Sequence, residues 1–168
     1  MKKIHLSILS ISLFFLSVSL SASILDNLKI DSAYKIEIFA SDLDSPRQLA
    51  ESADGWIFIG SRSGGKIFAV RDTDGNGESD ERLLVVKGLT MATGVSFFNG
   101  DLFFSEINKI WKIKNIDEFL RKSMTELPDK ILVTEDLPSD KWHGWKWIMH
   151  DENGALYTNV GAPCNACL

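Results

Sequence analysis

Three glycine turns restrict the architectures open to this chain. Ala53-Asp54-Gly55, Asn99-Gly100-Asp101 and Glu152-Asn153-Gly154 each separate two apolar stretches, and their glycines lie 45 and 54 residues apart. Asn-Gly and Asp-Gly pairs favour tight hairpins because both residues tolerate positive φ. The flanking stretches alternate apolar and polar side chains with a period of two, as half-buried strands do. This pattern predicts strands at 34–39, 56–60 and 66–70, at 95–98, 101–105 and 109–113, and at 145–149 and 155–160, with a brief helix at Ile116–Arg121. Several strands per unit, repeated about every 45 residues, are the signature of a β-propeller blade. The recurring order of strand, glycine turn, strand, connector and strand favours a propeller over a β-sandwich. The expected fold class is therefore all-β, a β-propeller, present as an incomplete arc of about two and a half blades. Because a propeller closes with at least four blades, the chain is expected to be the N-terminal part of a larger propeller.

The N-terminus carries its own address. Lys2 and Lys3 precede an apolar run from Ile4 to Leu20, and Ser19-Leu20-Ser21-Ala22-Ser23 offers small residues for cleavage. That is the composition of a secretory signal. Residues 1–23 are expected to be a signal peptide and 24–168 the propeller part of an exported protein, periplasmic or secreted, with no stable membrane insertion after cleavage. The net charge of −5 excludes nucleic acid as an expected partner, since neutralising phosphates needs a basic surface. Cys164 and Cys167 form a Cys-x-x-Cys pair. Export permits a disulfide, and the short loop leaves redox activity open.

Two stretches carry candidate chemistry. Asp72, Asp74, Asn76, Glu78 and Asp80 place oxygen-bearing side chains at alternate positions, with Gly77 sixth in the run. This matches the opening of an EF-hand loop, where alternation lets carboxylates converge on Ca2+. Leu83 stands at the twelfth position in place of a bidentate Glu; the other reading is a solvated acidic turn. His143 lies among Trp142, Trp145 and Trp147. A neutral imidazole takes a proton near pH 7, and the indoles offer a dry pocket or planar faces for a sugar or ring cofactor. The competing role is packing between blades. His150, just before the Asp151 turn, is expected to be exposed. Arg62, in the Gly-rich loop after a predicted strand, is placed either to meet an anion at a channel mouth or to stand solvated in a hairpin turn; the spacing of a phosphate-binding P-loop is missing.

The run Leu137-Pro138, Asp140, His143-Gly144-Trp145-Lys146, Asn153-Gly154 and Val160-Gly161-Ala162-Pro163-Cys164-Asn165 to Cys167 resembles the glucose/sorbosone dehydrogenase family, in its sorbosone-dehydrogenase-like branch. Ser45-Pro46-Arg47, the stretch 60–67 and Ala92-Thr93-Gly94-Val95 are also similar to it. The resemblance implies an exported, six-bladed quinoprotein propeller using pyrroloquinoline quinone (PQQ) with calcium. It would act on a sugar substrate and pass electrons to a periplasmic acceptor. It makes His143 the catalytic base and Arg62 and Trp145 cofactor-binding residues, with the 72–80 loop a separate calcium site. Most of the cofactor cradle would lie in later blades, so the 168-residue chain is expected to be inactive alone. The branch often has a second His where this chain has Trp142. Glucose-oxidising members carry a Gln near Ala92-Thr93-Gly94, so glucose is not the expected substrate. The alternative is a non-catalytic, calcium-stabilised propeller module that binds a glycan or protein partner.

Overall fold

A computed structural model describes residues 24–122 and 128–166, so the expected signal peptide lies outside the described residues. The chain divides into one unit ending at Glu37 and another beginning at Ile38. The described part of the first holds a 3₁₀ turn, Ile24–Asn27, and an exposed Lys35–Glu37 ion pair of 2.6 Å. No described helix is long and apolar enough to cross a membrane.

The second unit is all-β apart from one short helix. Strands β1 (Pro46–Glu51), β2 (Ile57–Ser61), β3 (Ile67–Arg71) and β4 (Glu81–Val86) form an antiparallel sheet in chain order. Strands β5 (Val95–Phe98), β6 (Asp101–Ser105), β7 (Ile110–Ile113) and β8 (Ile131–Thr134) repeat that order, with α1 (Ile116–Arg121) between β7 and β8. A third antiparallel pair, β9 (Ile148–His150) and β10 (Leu156–Thr158), follows. β1 packs on β5, and β5 on β9. Consecutive four-stranded meanders whose first strands face one another are the blades of a β-propeller.

Local chemistry explains the hairpins and the core. Asn99 and Gly100 both have positive φ, 49° and 83°, which a two-residue turn matched to strand twist demands. Alternate residues of each blade then point at the neighbouring blade. Phe58, Ile67, Ala69 and Val85 from the first blade meet Val95, Leu102, Phe104 and Ile113 from the second in one buried cluster. Phe58 stacks on Phe97 with ring centroids 6.1 Å apart. Each buried Val, Leu, Ile or Phe of this cluster contributes about 1.5–3 kcal/mol by leaving water.

Several expectations need correction. Residues 34–39 join no sheet among the described residues; Tyr34, Ile36 and Ile38 are exposed, and apolar alternation alone does not hold a strand that lacks a partner edge. Strands β1, β4 and β8 escaped the periodicity. β1 opens with Pro46-Arg47-Gln48 and β4 with Glu81-Arg82, and β8 is a short exposed edge. The strand expected at 145–149 forms only from Ile148, and the one expected at 155–160 is confined to Leu156–Thr158. The reason lies in side chains that replace the ladder. The Trp147 amide donates to Asn159 Oδ1 at 2.6 Å, and Asn159 Nδ2 donates to the Trp145 carbonyl at 3.3 Å. Gln48 of β1 receives the Ile148 amide at 3.1 Å and donates to the Ile148 carbonyl at 2.6 Å.

His150 is also not exposed. It is half-buried at the end of β9, stacked on Phe98 (5.0 Å) and meeting the edge of Phe103 (4.4 Å), with Nδ1 2.9 Å from Ser96 Oγ. It packs the third blade on the second.

Two outcomes follow. Gln48→Leu leaves the Ile148 amide and carbonyl unpaired, and denaturant unfolding should register a loss of about 1–3 kcal/mol. Burial lowers the His150 pKa below its ordinary 6.5, so the unfolded chain binds this proton at higher pH than the folded one. Stability should therefore decline as pH falls through about 6.5 and level off below the folded value. His150→Gln should flatten that part of a melting-temperature profile against pH.

Candidate functional site

The His143 loop precedes β9 and is shaped by short-range hydrogen bonds. Its turn is closed by the Gly144 amide donating to the Lys141 carbonyl at 3.3 Å, and His143 itself adopts φ 53°. His143 Nδ1 lies 3.1 Å from the carbonyl oxygen of Ala162. A carbonyl only accepts, so Nδ1 carries the hydrogen, and in the neutral ring Nε2 keeps its lone pair. Nε2 has no protein partner among the described residues. The Trp142 ring is tilted against the imidazole, 5.0 Å between centroids.

The two other residues singled out for this site meet each other. Arg62 leaves the end of β2, its amide donating to the Ser45 carbonyl at 3.0 Å, and its guanidinium lies 4.1 Å over the Trp145 ring. It pairs with no carboxylate among the described residues. Beside this stack, Arg47, Thr93, Trp145, Lys146 and Trp147 line an open cavity of about 470 Å³ that also touches Gln48 and Leu49. No acidic residue lines it. A smaller cleft of about 210 Å³ lies against Trp142 and Gly144, on either side of His143.

Lys146 was missed as a site residue. It is 1% exposed, lines both cavities and donates from Nζ to the Gly144 carbonyl at 2.7 Å. Burial lowers its pKa. Its own carbonyl accepts from Thr93 Oγ1 (2.8 Å) and Ser105 Oγ (3.2 Å), which ties the His143 loop to the second blade. Its only sequence signal was its place in His-Gly-Trp-Lys.

The acidic loop stands at the other end of the strands. It joins β3 to β4, whereas Arg62 follows β2 at the opposite end. Ligand atoms of Asp72, Asp74 and Asp80 lie within 4.8 Å of one another. Asp72 accepts from the amides of Gly77 (2.8 Å) and Gly75 (2.7 Å), and Asp80 from the amide (2.7 Å) and hydroxyl (2.9 Å) of Thr73. These bonds, led for Asp72 by Gly77 and for Asp80 by Thr73, hold both carboxyls below their ordinary range. Gly77 has φ 91°, the sharp turn foreseen for it. Asn76 bonds inside the loop, accepting the Glu78 amide at 2.7 Å and donating to Asp74 at 3.2 Å. Glu78 is not part of the three-carboxylate cluster. Cys164 is disulfide-bonded, while Cys167 lies outside the described residues.

No protein-family model matches the chain. An uncharacterised protein of Borreliella burgdorferi is 28% identical over 157 residues, covering 89% of this chain and 40% of that protein. Among solved structures, the holo form of the PQQ domain of pyranose dehydrogenase from Coprinopsis cinerea superposes with a TM-score of 0.62 at 14% identity, over 76% of this chain and 30% of that one. A calcium structure of a Trichoderma reesei carbohydrate-active enzyme of family AA12 gives 0.54 at 13%, over 68% and 28%. The chain has their β-propeller fold. It spans about two-fifths of the curated relative and less than a third of these solved chains.

The His143 geometry has a spectroscopic consequence. In ¹⁵N NMR of its neutral ring, His143 should show the hydrogen on Nδ1 and a bare Nε2. The reverse tautomer would mean that the Ala162 contact does not hold in solution.

Proposed function

We propose that this chain supplies the first two blades and the start of the third of an exported, PQQ-dependent sugar dehydrogenase, of the kind related to glucose/sorbosone dehydrogenases. His143 is its general base. The observation that carries this reading is the His143–Ala162 hydrogen bond, which leaves Nε2 as a proton acceptor two residues before Trp145, whose ring carries the Arg62 guanidinium. The fold of the PQQ domain of pyranose dehydrogenase supports it.

The residues present fit PQQ, a planar aromatic anion. Trp145 and Trp147 offer faces, Arg62 and Arg47 offer guanidinium forks, and the adjoining cavity has no carboxylate to repel it. Bound there, PQQ would supply a two-electron oxidant for the sugar carbon. The work of this chain is then to move a proton. Nε2 of His143 accepts the hydrogen of the sugar hydroxyl as the carbon is oxidised, and Nδ1 stays anchored on Ala162. Lys146, through Gly144, keeps the loop in place. The electrons would pass from the cofactor to a periplasmic acceptor.

The 72–80 loop fits Ca2+, because three carboxylates converge at a turn made by Gly77. With Leu83 in place of the closing Glu, binding is weak and serves to brace the β3–β4 connection.

The purified 168-residue chain should show no turnover with PQQ, Ca2+ and an artificial acceptor. A polypeptide that also carries the remaining blades should oxidise aldoses or sorbosone, and His143→Ala should lower its kcat about 10²–10⁴-fold with little change in KM. Unchanged kcat would remove His143 from the mechanism. Millimolar Ca2+ should raise the melting temperature of the chain, and Asp72→Asn should abolish that increase.

A further inference from the structure

The outer edge of the second blade presents apolar side chains to solvent. β5 packs against both β1 and β9, so it is the inner strand, and the sheet order β5-β6-β7-β8 makes β8 the outermost. Among the described residues no strand pairs with the far side of β8. Its Ile131, Leu132 and Val133 are 42%, 41% and 43% exposed. The first blade guards the equivalent edge. β4 opens with the charged Glu81 and Arg82, and its Val85 and Val86 are buried. Residues 39–42 are bonded to the start of that strand: the Ser79 amide donates to the Phe39 carbonyl at 2.8 Å, and Arg82 to the Ser41 and Asp42 carbonyls at 3.1 and 3.4 Å. Blades stack face to face around a channel, so further blades after the third would leave β8 open as well. An unpaired apolar edge is a template for another strand.

The residues of this edge are complementary to themselves. In an antiparallel pairing of two copies centred between Leu132 and Val133, Ile131 meets Thr134 and Lys130 meets Glu135, each contact occurring twice. Residues directly opposite must share a face of the sheet. In a regular strand Lys130 and Glu135, an odd number of positions apart, would lie on opposite faces. β8 is not regular. Thr134 pairs with Ile110 and Leu132 with Trp111, so Val133 is an extra residue, and a bulge of this kind returns Glu135 to the face of Lys130. The side chains bear this out. Lys130 Nζ lies 4.2 Å over the Trp111 ring, while Lys109 Nζ lies 5.7 Å over the same ring and 3.3 Å from Glu135. Paired in this register, Glu135 would stand between Lys109 of its own chain and Lys130 of the second copy. Asp129 and Asp136 come opposite each other just outside the strand, which keeps the contact reversible.

We propose that β8 is a self-association edge, where two copies of this chain pair β8 with β8, antiparallel and about a two-fold axis between Leu132 and Val133. The pairing joins two second blades into one continuous sheet and covers the three apolar residues of both copies. Four residues a side make a small interface, so the dimer exchanges with monomer. It involves none of the residues around His143 and stands whether or not PQQ binds.

The test is sedimentation equilibrium of the full 168-residue chain over a dilution series. The wild type should show a reversible monomer–dimer equilibrium. Leu132→Lys, which sets two lysines beside the axis, should be monomeric where the wild type is dimeric. Lys130→Glu and Glu135→Lys each turn two attractive pairs into two repulsive ones and should weaken the dimer about tenfold. The double variant Lys130→Glu/Glu135→Lys restores opposite charges in this register and should recover most of the lost affinity. All these side chains are exposed, and circular dichroism should show each variant folded. A wild type that stays monomeric up to its solubility limit would overturn the proposal. So would a dimer that Leu132→Lys leaves intact, which would lie on another face, or a double variant no tighter than the single ones.

Discussion

The candidate site depends on how the third blade is fastened before its own strands are long enough to fasten it. β9 has three residues, and the segment ahead of it has no ladder partner. Backbone groups buried without partners are costly, so neighbouring side chains stand in. Gln48 pairs both the amide and the carbonyl of Ile148, and Thr93 and Ser105 hold the Lys146 carbonyl. These bonds reach from the first and second blades to one short segment. They fix where Trp145 and Lys146 stand, and hence where the turn carrying His143 begins. Arg62 meets Trp145 only because that segment is held in place.

The same strands separate two kinds of charge. One end of the first blade carries Arg62 against Trp145, next to a cavity without acidic lining. The other end carries the convergent Asp72, Asp74 and Asp80. This chain thus offers distinct binding chemistry at both ends of its strands, and only one end is involved in the proposed oxidation.

Much of the fold was readable from hairpin turns and period-two alternation, because Asn99-Gly100 and its counterparts encode geometry locally. The first strand of the first blade was not. Pro46, Arg47 and Gln48 make it look like a connector, and Gln48 is there to bond a residue one hundred positions away. The stretch 34–39 misled in the opposite direction, since its alternation has no edge to pair with. For the site, His143, Arg62, Trp145 and the converging aspartates stood out by residue type. Lys146 did not, because a lysine in sequence gives no sign that it will be buried. His150 was misplaced for a similar reason, as the rings that enclose it come from the preceding blade. Glu78 shared the alternation of the acidic run without joining its cluster, since the loop folds by bonds that alternation does not reveal.

The central claim is that Arg62 and Trp145, the latter two residues along the chain from His143, form the start of a site for a planar anionic cofactor. The most direct measurement is a titration of the purified chain with PQQ, read by quenching of tryptophan fluorescence. Saturable quenching that is lost in Arg62→Ala and in Trp145→Leu is the predicted result. Quenching that is absent, or equal in the wild type and both variants, would contradict it.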